Sequence, residues 1–190
     1  MSLTVVLIIV AIIICGWLYG VYVGVIQKKN KVLEAFSSID VQLKKRYDLI
    51  PNILTIAQKF MDHEKSLIED VTKLRTQVYS MANNMGNIDK KIELDGLISK
   101  KMGQIFVAME NYPQLKSDQT MVTAMQTYNE VEEHIAAARR FYNSAANELK
   151  NAVEIFPSSL VASICGVKAV DFFRAEESER KAINAQDYLK

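Results

Sequence analysis

The chain has 190 residues, 23 basic and 22 acidic side chains, a formal net charge of +1 and a mean hydropathy of +0.02. This length suffices for one compact domain with an appendage. The balanced charge gives the chain no overall electrostatic attraction to nucleic acid, so we expect no nucleic-acid partner. The two cysteines, Cys15 and Cys165, lie in different regions, which argues against an internal disulfide and for a reducing compartment.

The first 26 residues carry none of these charges and form one continuous apolar run. The run is longer than the roughly 20 residues that a membrane-spanning helix needs. A cleaved signal peptide has a basic start, a shorter apolar core and a small-x-small cleavage site, and this run has none of those features. We therefore predict an uncleaved transmembrane anchor over residues 1–26.

Three glycines lie in a row inside this anchor, at Gly16, Gly20 and Gly24. Their four-residue spacing places them on one helix face, where the backbone of another helix can approach closely. We predict that the row packs against a second transmembrane helix, from another copy of the chain or from a different membrane protein. The alternative is that the glycines reflect only the general frequency of glycine in membrane helices.

Lysines begin directly after the anchor, at Lys28, Lys29 and Lys31. Because positive charge collects on the cytoplasmic side, this flank predicts a single-pass protein with a short N-terminus outside and the remaining chain in the cytoplasm. The same three side chains are placed to contact anionic head groups, so membrane lipid is a predicted partner.

Beyond the anchor, apolar residues recur at spacings of three or four, which is typical of an amphipathic helix. The pattern predicts one long helix over residues 28–82, with a kink or short break near Pro51, and then an Asn- and Gly-rich loop at 83–87. The apolar stripe of this helix comprises Ile39, Leu43, Tyr47, Ile50, Leu54, Ala57 and Met61.

A second helix is predicted over residues 88–111, where Tyr112-Pro113 ends it, and a third over residues 118–156. Ser117 or Asp118 is the predicted N-cap of the third helix. Its apolar stripe comprises Met121, Met125, Tyr128, Ile135, Tyr142, Ala145, Leu149, Val153 and Phe156.

A short apolar helix follows over residues 158–165, with Gly166 as its predicted C-cap. It either docks against the other helices or lies on a membrane surface. No segment shows the sustained alternation of a strand. The sequence thus predicts an all-α protein with a transmembrane anchor (1–26), an elongated antiparallel helical bundle (27–170) and a charged, partly ordered tail (171–190).

Four sequence blocks resemble the LemA family, in the family's order and spacing. They are IDVQLKKRYDLIPN at 39–52, ENYPQLK at 110–116, ARRFYN at 138–143 and FPSSLVA at 156–162. The chain departs from the family pattern at Tyr22-Val23, where Tyr-Asn is usual, and at Ser159, where Asn is frequent.

The resemblance implies an antiparallel helical bundle anchored in the bacterial inner membrane, with a short exterior N-terminus. It implies no known reaction. Genes of LemA-like proteins often neighbour those of membrane metalloproteases, which makes such a protease a candidate partner.

The residues that catalysis requires do not occur at the necessary spacings. A zinc-protease motif begins at His63, but Leu67 stands where its second histidine belongs. A di-iron bundle needs Glu three residues before each histidine, and here Phe60 precedes His63 and Val131 precedes His134. We therefore expect no catalytic residue, no metal site and no cofactor.

Charged residues on the third helix predict a polar network inside the bundle. Glu132 and Arg139 are seven residues apart on the apolar side of that helix, and unpaired burial of either charge is costly. We predict that they pair with the block Arg46–Asn52 and fix the register of the helices; the alternative is a ligand site. The predicted network comprises Arg46, Asp48, Asn52, Glu132, Arg139 and Tyr142.

These features favour a scaffold or adaptor for a membrane assembly, either a homo-oligomer or a protease complex. One alternative is a membrane-surface coat or remodelling protein that uses the basic flank. The other alternative is an enzyme whose site has no recognisable motif.

Overall fold

The computed structural model describes residues 3–81 and 88–173, and these residues form helices and connections without strands. The prediction of an all-α fold is confirmed. The predicted loop at 83–87 and the tail beyond residue 173 lie outside the described residues. The helices are α1 (Leu3–Ala57), α2 (Lys65–Ser80), α3 (Ile88–Met109), α4 (Pro113–Lys116), α5 (Gln119–Glu154) and α6 (Ser158–Ile164).

The first helix differs from the prediction at Pro51. The helix continues past this proline to Ala57, and the chain leaves helical structure over residues 58–64 instead. Of the predicted kink or short break at Pro51, the break does not occur, and the single helix predicted over residues 28–82 ends at Ala57 instead. The proline lacks the N–H that would donate to the carbonyl of Tyr47 four residues earlier. Arg75 Nε donates to that carbonyl oxygen at 2.7 Å, so the acceptor is satisfied from outside the helix.

The chain divides into two compact units, one of residues 1–40 and 136–190 and the other of residues 41–135. In the first unit, every residue from 3 to 20 is exposed, and burial of α1 begins with Val25. The N-terminal part of α1 is the one described segment that is long and apolar enough to cross a membrane. The core of this unit comprises Val25, Val32, Ala35, Ile39, Tyr142, Ala145, Ala146, Leu149, Ala152, Ala162 and Val167.

Helices α1 and α5 run antiparallel, since Lys31 pairs with Glu148 and Arg46, later in α1, pairs with Glu132, earlier in α5. Lys31 Nζ lies 2.8 and 3.0 Å from the two carboxylate oxygens of Glu148. Val25 precedes Lys31 by six residues, and Glu154, where α5 ends, follows Glu148 by six. Antiparallel pairing therefore places the end of α5 at the level of Val25, which is where burial of α1 begins.

The second unit is a helical bundle built from the last part of α1, all of α2, α3 and α4, and the first part of α5. Helices α2 and α3 are antiparallel, since Asp70 pairs with Lys101 at 2.8 Å and Glu64, earlier in the chain, accepts from Tyr112 Oη at 2.7 Å. All seven residues of the stripe predicted for the first helix are buried.

Two predicted helix caps are confirmed. The backbone N–H of Met121 donates to Asp118 Oδ1 at 3.0 Å, so Asp118 caps α5. Gly166 has a φ of +64° after α6, and the N–H of Val167 donates to the carbonyl of Ala162 at 2.9 Å, as in a Schellman motif. Phe156 lies beyond the end of α5 and is exposed, so its assignment to the buried stripe was wrong.

Candidate functional site

The most fully buried charged side chain described is Arg46 of α1, with 0% of its surface exposed. It lies three residues after Leu43 and four before Ile50, both buried, so the helical period directs it into the bundle of the second unit. A buried guanidinium has to be paired and hydrogen-bonded, because transfer of an isolated charge out of water is prohibitively costly. Its partners therefore define the site.

Arg46 joins three helices. Its Nη1 donates to Glu132 Oε1 on α5 at 2.7 Å and to Ser99 Oγ on α3 at 2.9 Å. Its Nη2 forms an ion pair with the carboxylate of Asp95 on α3. Planar guanidinium groups present several fixed N–H donors, which allows one side chain to hold acceptors from two helices at once.

Two tyrosines extend this cluster. Tyr47 Oη donates to Asp95 Oδ1 at 2.8 Å. Tyr128 is buried and forms a side-chain hydrogen bond with Glu132. Burial raises the pKa of Tyr128 well above its ordinary value, while the Arg46 charge lowers it and the Glu132 carboxylate raises it further. Tyr128 thus stays a neutral hydroxyl at physiological pH.

The cluster contains one cation and two carboxylates, whose exposure differs. The side chain of Asp95 is 1% exposed and that of Glu132 is 36% exposed. Glu132 therefore keeps contact with water, while the buried Asp95 pairs with Arg46 and Tyr47. This arrangement suits the fixing of helix register, because the charged groups bind one another across α1, α3 and α5.

Two further members of the predicted network, Asp48 and Asn52, lie in the second unit and have other surroundings. Asp48 accepts a hydrogen bond from Tyr79 Oη, and the bond raises the pKa of that tyrosine. Asn52 lines a groove of about 640 Å³ between α1 and α5 in the second unit. Its other lining residues are Leu49, Thr55, Ile56, Gln119, Thr120, Thr123 and Ala124.

Arg139 and Tyr142 belong to the first unit. Tyr142 Oη donates to the carbonyl oxygen of Asp171 at 3.2 Å, and its ring packs edge-on against Phe173 with centroids 4.9 Å apart. The guanidinium of Arg139 lies 6.0 Å from the centroid of the same Phe173 ring. Asn143 and Phe173 exchange two hydrogen bonds of 2.9 Å. The described end of the chain is therefore fastened to α5.

Sequence reasoning missed Asp95, Ser99 and Phe173. The sequence pattern did indicate that Asp95 is buried, because it precedes Ile98 by three residues and continues the buried helical stripe of α3. A carboxylate on such a stripe predicts a buried partner. Phe173 carried no local signal, since its contacts with Asn143 span 30 residues.

The anchor residues have open surroundings. Among the described residues, a Cβ built on Gly16, Gly20 or Gly24 meets no atom within 4 Å, so residues 3–81 and 88–173 leave this helix face uncovered. Lys29 is exposed and Lys28 is half-buried. Lys31 differs from both, because Glu148 holds its ammonium and the Phe141 ring lies 6.0 Å away.

Within residues 3–81 and 88–173, no group of three or more His, Cys, Asp or Glu side chains is arranged to hold a metal ion. The geometry of the described residues shows a register-fixing ion cluster in one unit and a candidate membrane span in the other.

Comparison with known proteins identifies relatives of this chain. Protein LemA of Metamycoplasma hominis is 24% identical over 182 residues, which cover 93% of this chain and 81% of that protein. Magnetosome protein MamQ 2 of Paramagnetospirillum magneticum is 21% identical over 160 residues, and the match covers 73% of this chain and 59% of MamQ 2.

A further magnetosome protein MamQ, from Magnetospirillum gryphiswaldense, is 29% identical over 79 residues, which cover 42% of this chain and 29% of that protein. The model of the LemA family matches residues 35–186, a range that includes all four of the sequence blocks described above. Together these matches show that the chain belongs to the LemA family.

Proposed function

We propose that this protein is a membrane-anchored helical-bundle scaffold or adaptor that supports a homo-oligomeric or membrane-protease assembly at the bacterial inner membrane. The observation that carries the proposal is the division of α1 within the first unit. Residues 3–20 are exposed and almost wholly apolar, whereas Val25, Val32 and Ile39 are buried. A single helix therefore serves as candidate span and as core element, which holds the folded part of this unit next to the lipid.

The glycine row supports assembly through the membrane. Gly16, Gly20 and Gly24 leave a shallow strip of backbone, and nothing in the described residues covers it. Lipid chains gain little from such a strip, whereas a second helix gains close backbone contact. A second copy of this chain supplies a matching strip, which favours a homo-oligomer. A membrane metalloprotease as partner is proposed from the family resemblance alone.

The orientation is also proposed, with the N-terminus outside and both units in the cytoplasm. Lys28 and Lys29 support it, because neither has a carboxylate partner among the described contacts and both follow the apolar segment directly. The proposal includes no catalytic step. The charged groups around Arg46 bind one another, which supports a structural use of this cluster.

The association is tested by Gly20→Leu in the full chain, purified in a mild detergent and measured by light scattering. The unaltered protein is expected as a multiple of its 21.5 kDa mass, and the variant as smaller particles. Ala11→Leu is the matched control, since nine residues at about 3.6 per turn place Ala11 on the face opposite Gly20. A monomeric unaltered protein, or equal loss in both variants, contradicts the role of the glycine row.

The orientation is tested with a single thiol in the first unit. Ser144, exposed on α5, is changed to Cys in a chain in which Cys15 and Cys165 are Ala. A membrane-impermeant maleimide should label this site in broken cells but not in intact spheroplasts. Labelling in intact spheroplasts would place the folded units outside and contradict the proposed orientation.

A further inference from the structure

The connection after α5 and helix α6, residues 155–164, together expose four large apolar side chains. Ile155 is 58% exposed, Phe156 is 74%, Leu160 is 57% and Ile164 is 79%. All four fall within ten consecutive residues, and the same segment turns Ala162 into the core. Contiguous exposed apolar residues of this size mark a contact with a protein or a membrane.

The position of this segment in the first unit indicates which of the two, a protein or a membrane, it contacts. Lys31 pairs with Glu148, and antiparallel packing puts the end of α5 at the level of Val25. Residue 26 ends the charge-free apolar run of α1. Ile155 and Phe156 therefore lie at the level where α1 passes from its candidate span into the folded part of the unit.

The chain turns round at this level. It leaves α5 at Glu154, passes through α6, and returns by Asp171 to Tyr142, where the two residues share a hydrogen bond of 3.2 Å. Tyr142 precedes Glu148 by six residues, so it lies on the side of that ion pair away from the span. Helix α6 is thus the end of this unit that points toward the apolar segment of α1.

One face of α6 is apolar and exposed, and the opposite face packs into the core of the first unit. Leu160 and Ile164 are one turn apart on the exposed side, while Ala162 is fully buried. Lys168 is exposed just beyond the helix, and Lys28 and Lys29 flank the span. A short helix with apolar side chains outward and lysines beside it suits the boundary between head groups and acyl chains.

We propose that the α5–α6 turn, through Ile155, Phe156, Leu160 and Ile164, inserts into the head-group and acyl-chain boundary of the same membrane that α1 spans. The inference rests on the anchor in the proposed function. The lipid surface is the occupant, because the antiparallel register brings the turn to the bilayer without any further partner. The protein then holds the membrane at two places, the spanning helix and this turn.

The test is spin-label accessibility on the full chain, reconstituted in vesicles of mixed phosphatidylcholine and phosphatidylglycerol. Cys15 and Cys165 are replaced by Ala, and a nitroxide is attached to single Cys substitutions of Phe156, Leu160 or Ile164. Because these side chains are exposed, the label does not displace packed residues. Ser144→Cys is the water-exposed control, and Ile12→Cys, in the exposed apolar part of α1, reports on the anchor.

The readout is the ratio of collisions with oxygen, which concentrates in lipid, to collisions with a water-soluble nickel complex. The proposal expects a several-fold higher ratio at residues 156, 160 and 164 than at residue 144. Equal ratios at these four sites, with residue 12 in lipid, overturn the inference and leave the anchor intact. Water access at residue 12 overturns the anchor as well. Shielding of the three sites from both reagents indicates cover by a second copy and also overturns the inference.

Discussion

Arg75 of α2 donates a hydrogen bond of 2.7 Å to the carbonyl oxygen of Tyr47 in α1. Within a regular helix this oxygen accepts from the residue four positions on, which here is Pro51 and has no N–H. The side chain of Arg75 supplies a donor to this acceptor. A proline that would ordinarily break a helix is thereby retained in the middle of the bundle.

This relationship predicts coupling between Arg75 and Pro51. Arg75→Met keeps much of the apolar stem but removes the donor, and it should lower the free energy of unfolding by about 1.5–3 kcal/mol, as for a charged hydrogen bond. In a Pro51→Ala background the loss should be smaller, because the alanine N–H can donate to Tyr47. Denaturant unfolding of the four proteins in detergent measures this double-mutant cycle.

The control for that cycle is Lys73→Met on the same helix, whose side chain is 70% exposed. It should change stability little in either background, since exposed ion pairs contribute about 0–1 kcal/mol. If Arg75→Met has the same effect with and without Pro51, the two residues are not coupled and the explanation of the continuous helix fails.

Loss of the Arg46 charge should destabilise the protein more than loss of the Glu132 charge. Arg46→Met removes the cation of the buried pair with Asp95, and removal of one partner of a buried pair costs about 3–5 kcal/mol. Glu132→Gln keeps a hydrogen-bonding oxygen at a site with 36% exposure, so its effect should be about 1 kcal/mol. Thermal or denaturant unfolding of the full chain measures both.

A companion variant separates charge burial from packing. Asp95→Asn should recover part of the stability lost in Arg46→Met, because the amide removes the negative charge that Arg46 had paired while it keeps the size of the side chain. No recovery in the double variant would show that the loss in Arg46→Met does not come from the buried charge of Asp95.

The raised pKa of Tyr128 predicts that the folded protein loses stability at high pH. Its pKa is raised in the folded protein above the ordinary 10.0, chiefly by burial, so the folded state keeps its proton while the unfolded state releases one. The stabilisation is complete below pH 10 and declines as the pH rises above it, by at most about 1.4 kcal/mol per pH unit. Tyr128→Phe should remove this part of the slope between pH 10 and 11. Equal slopes in unfolding titrations would contradict the assignment.

Local pattern was sufficient to predict much of the fold. The stripe from Ile39 to Met61 is buried as its spacing indicated, because burial of apolar faces determines which side of a helix turns inward. Asp118 and Gly166 cap their helices, since side-chain oxygens and positive φ values act over a few residues.

Distant partners explain what the sequence did not reveal. Arg75, 24 residues after Pro51 in the chain, supplies the donor that the proline lacks, and no local rule for proline includes such a donor. Asp95 completes the site of Arg46 from another helix, 49 residues away. Burial of Phe156 was predicted from helical period alone, but α5 ends before that residue.

Two glycines with equally open surroundings should respond to alanine in opposite ways. A Cβ has no atom within 4 Å at Gly166 or at Gly103. Gly166 has a φ of +64°, so Gly166→Ala should destabilise the protein by about 1–2 kcal/mol through backbone strain alone. Gly103 lies inside α3, so Gly103→Ala should stabilise it by about 0.5–1 kcal/mol. Denaturant midpoints that shift in the same direction for both variants would contradict the Schellman cap at α6.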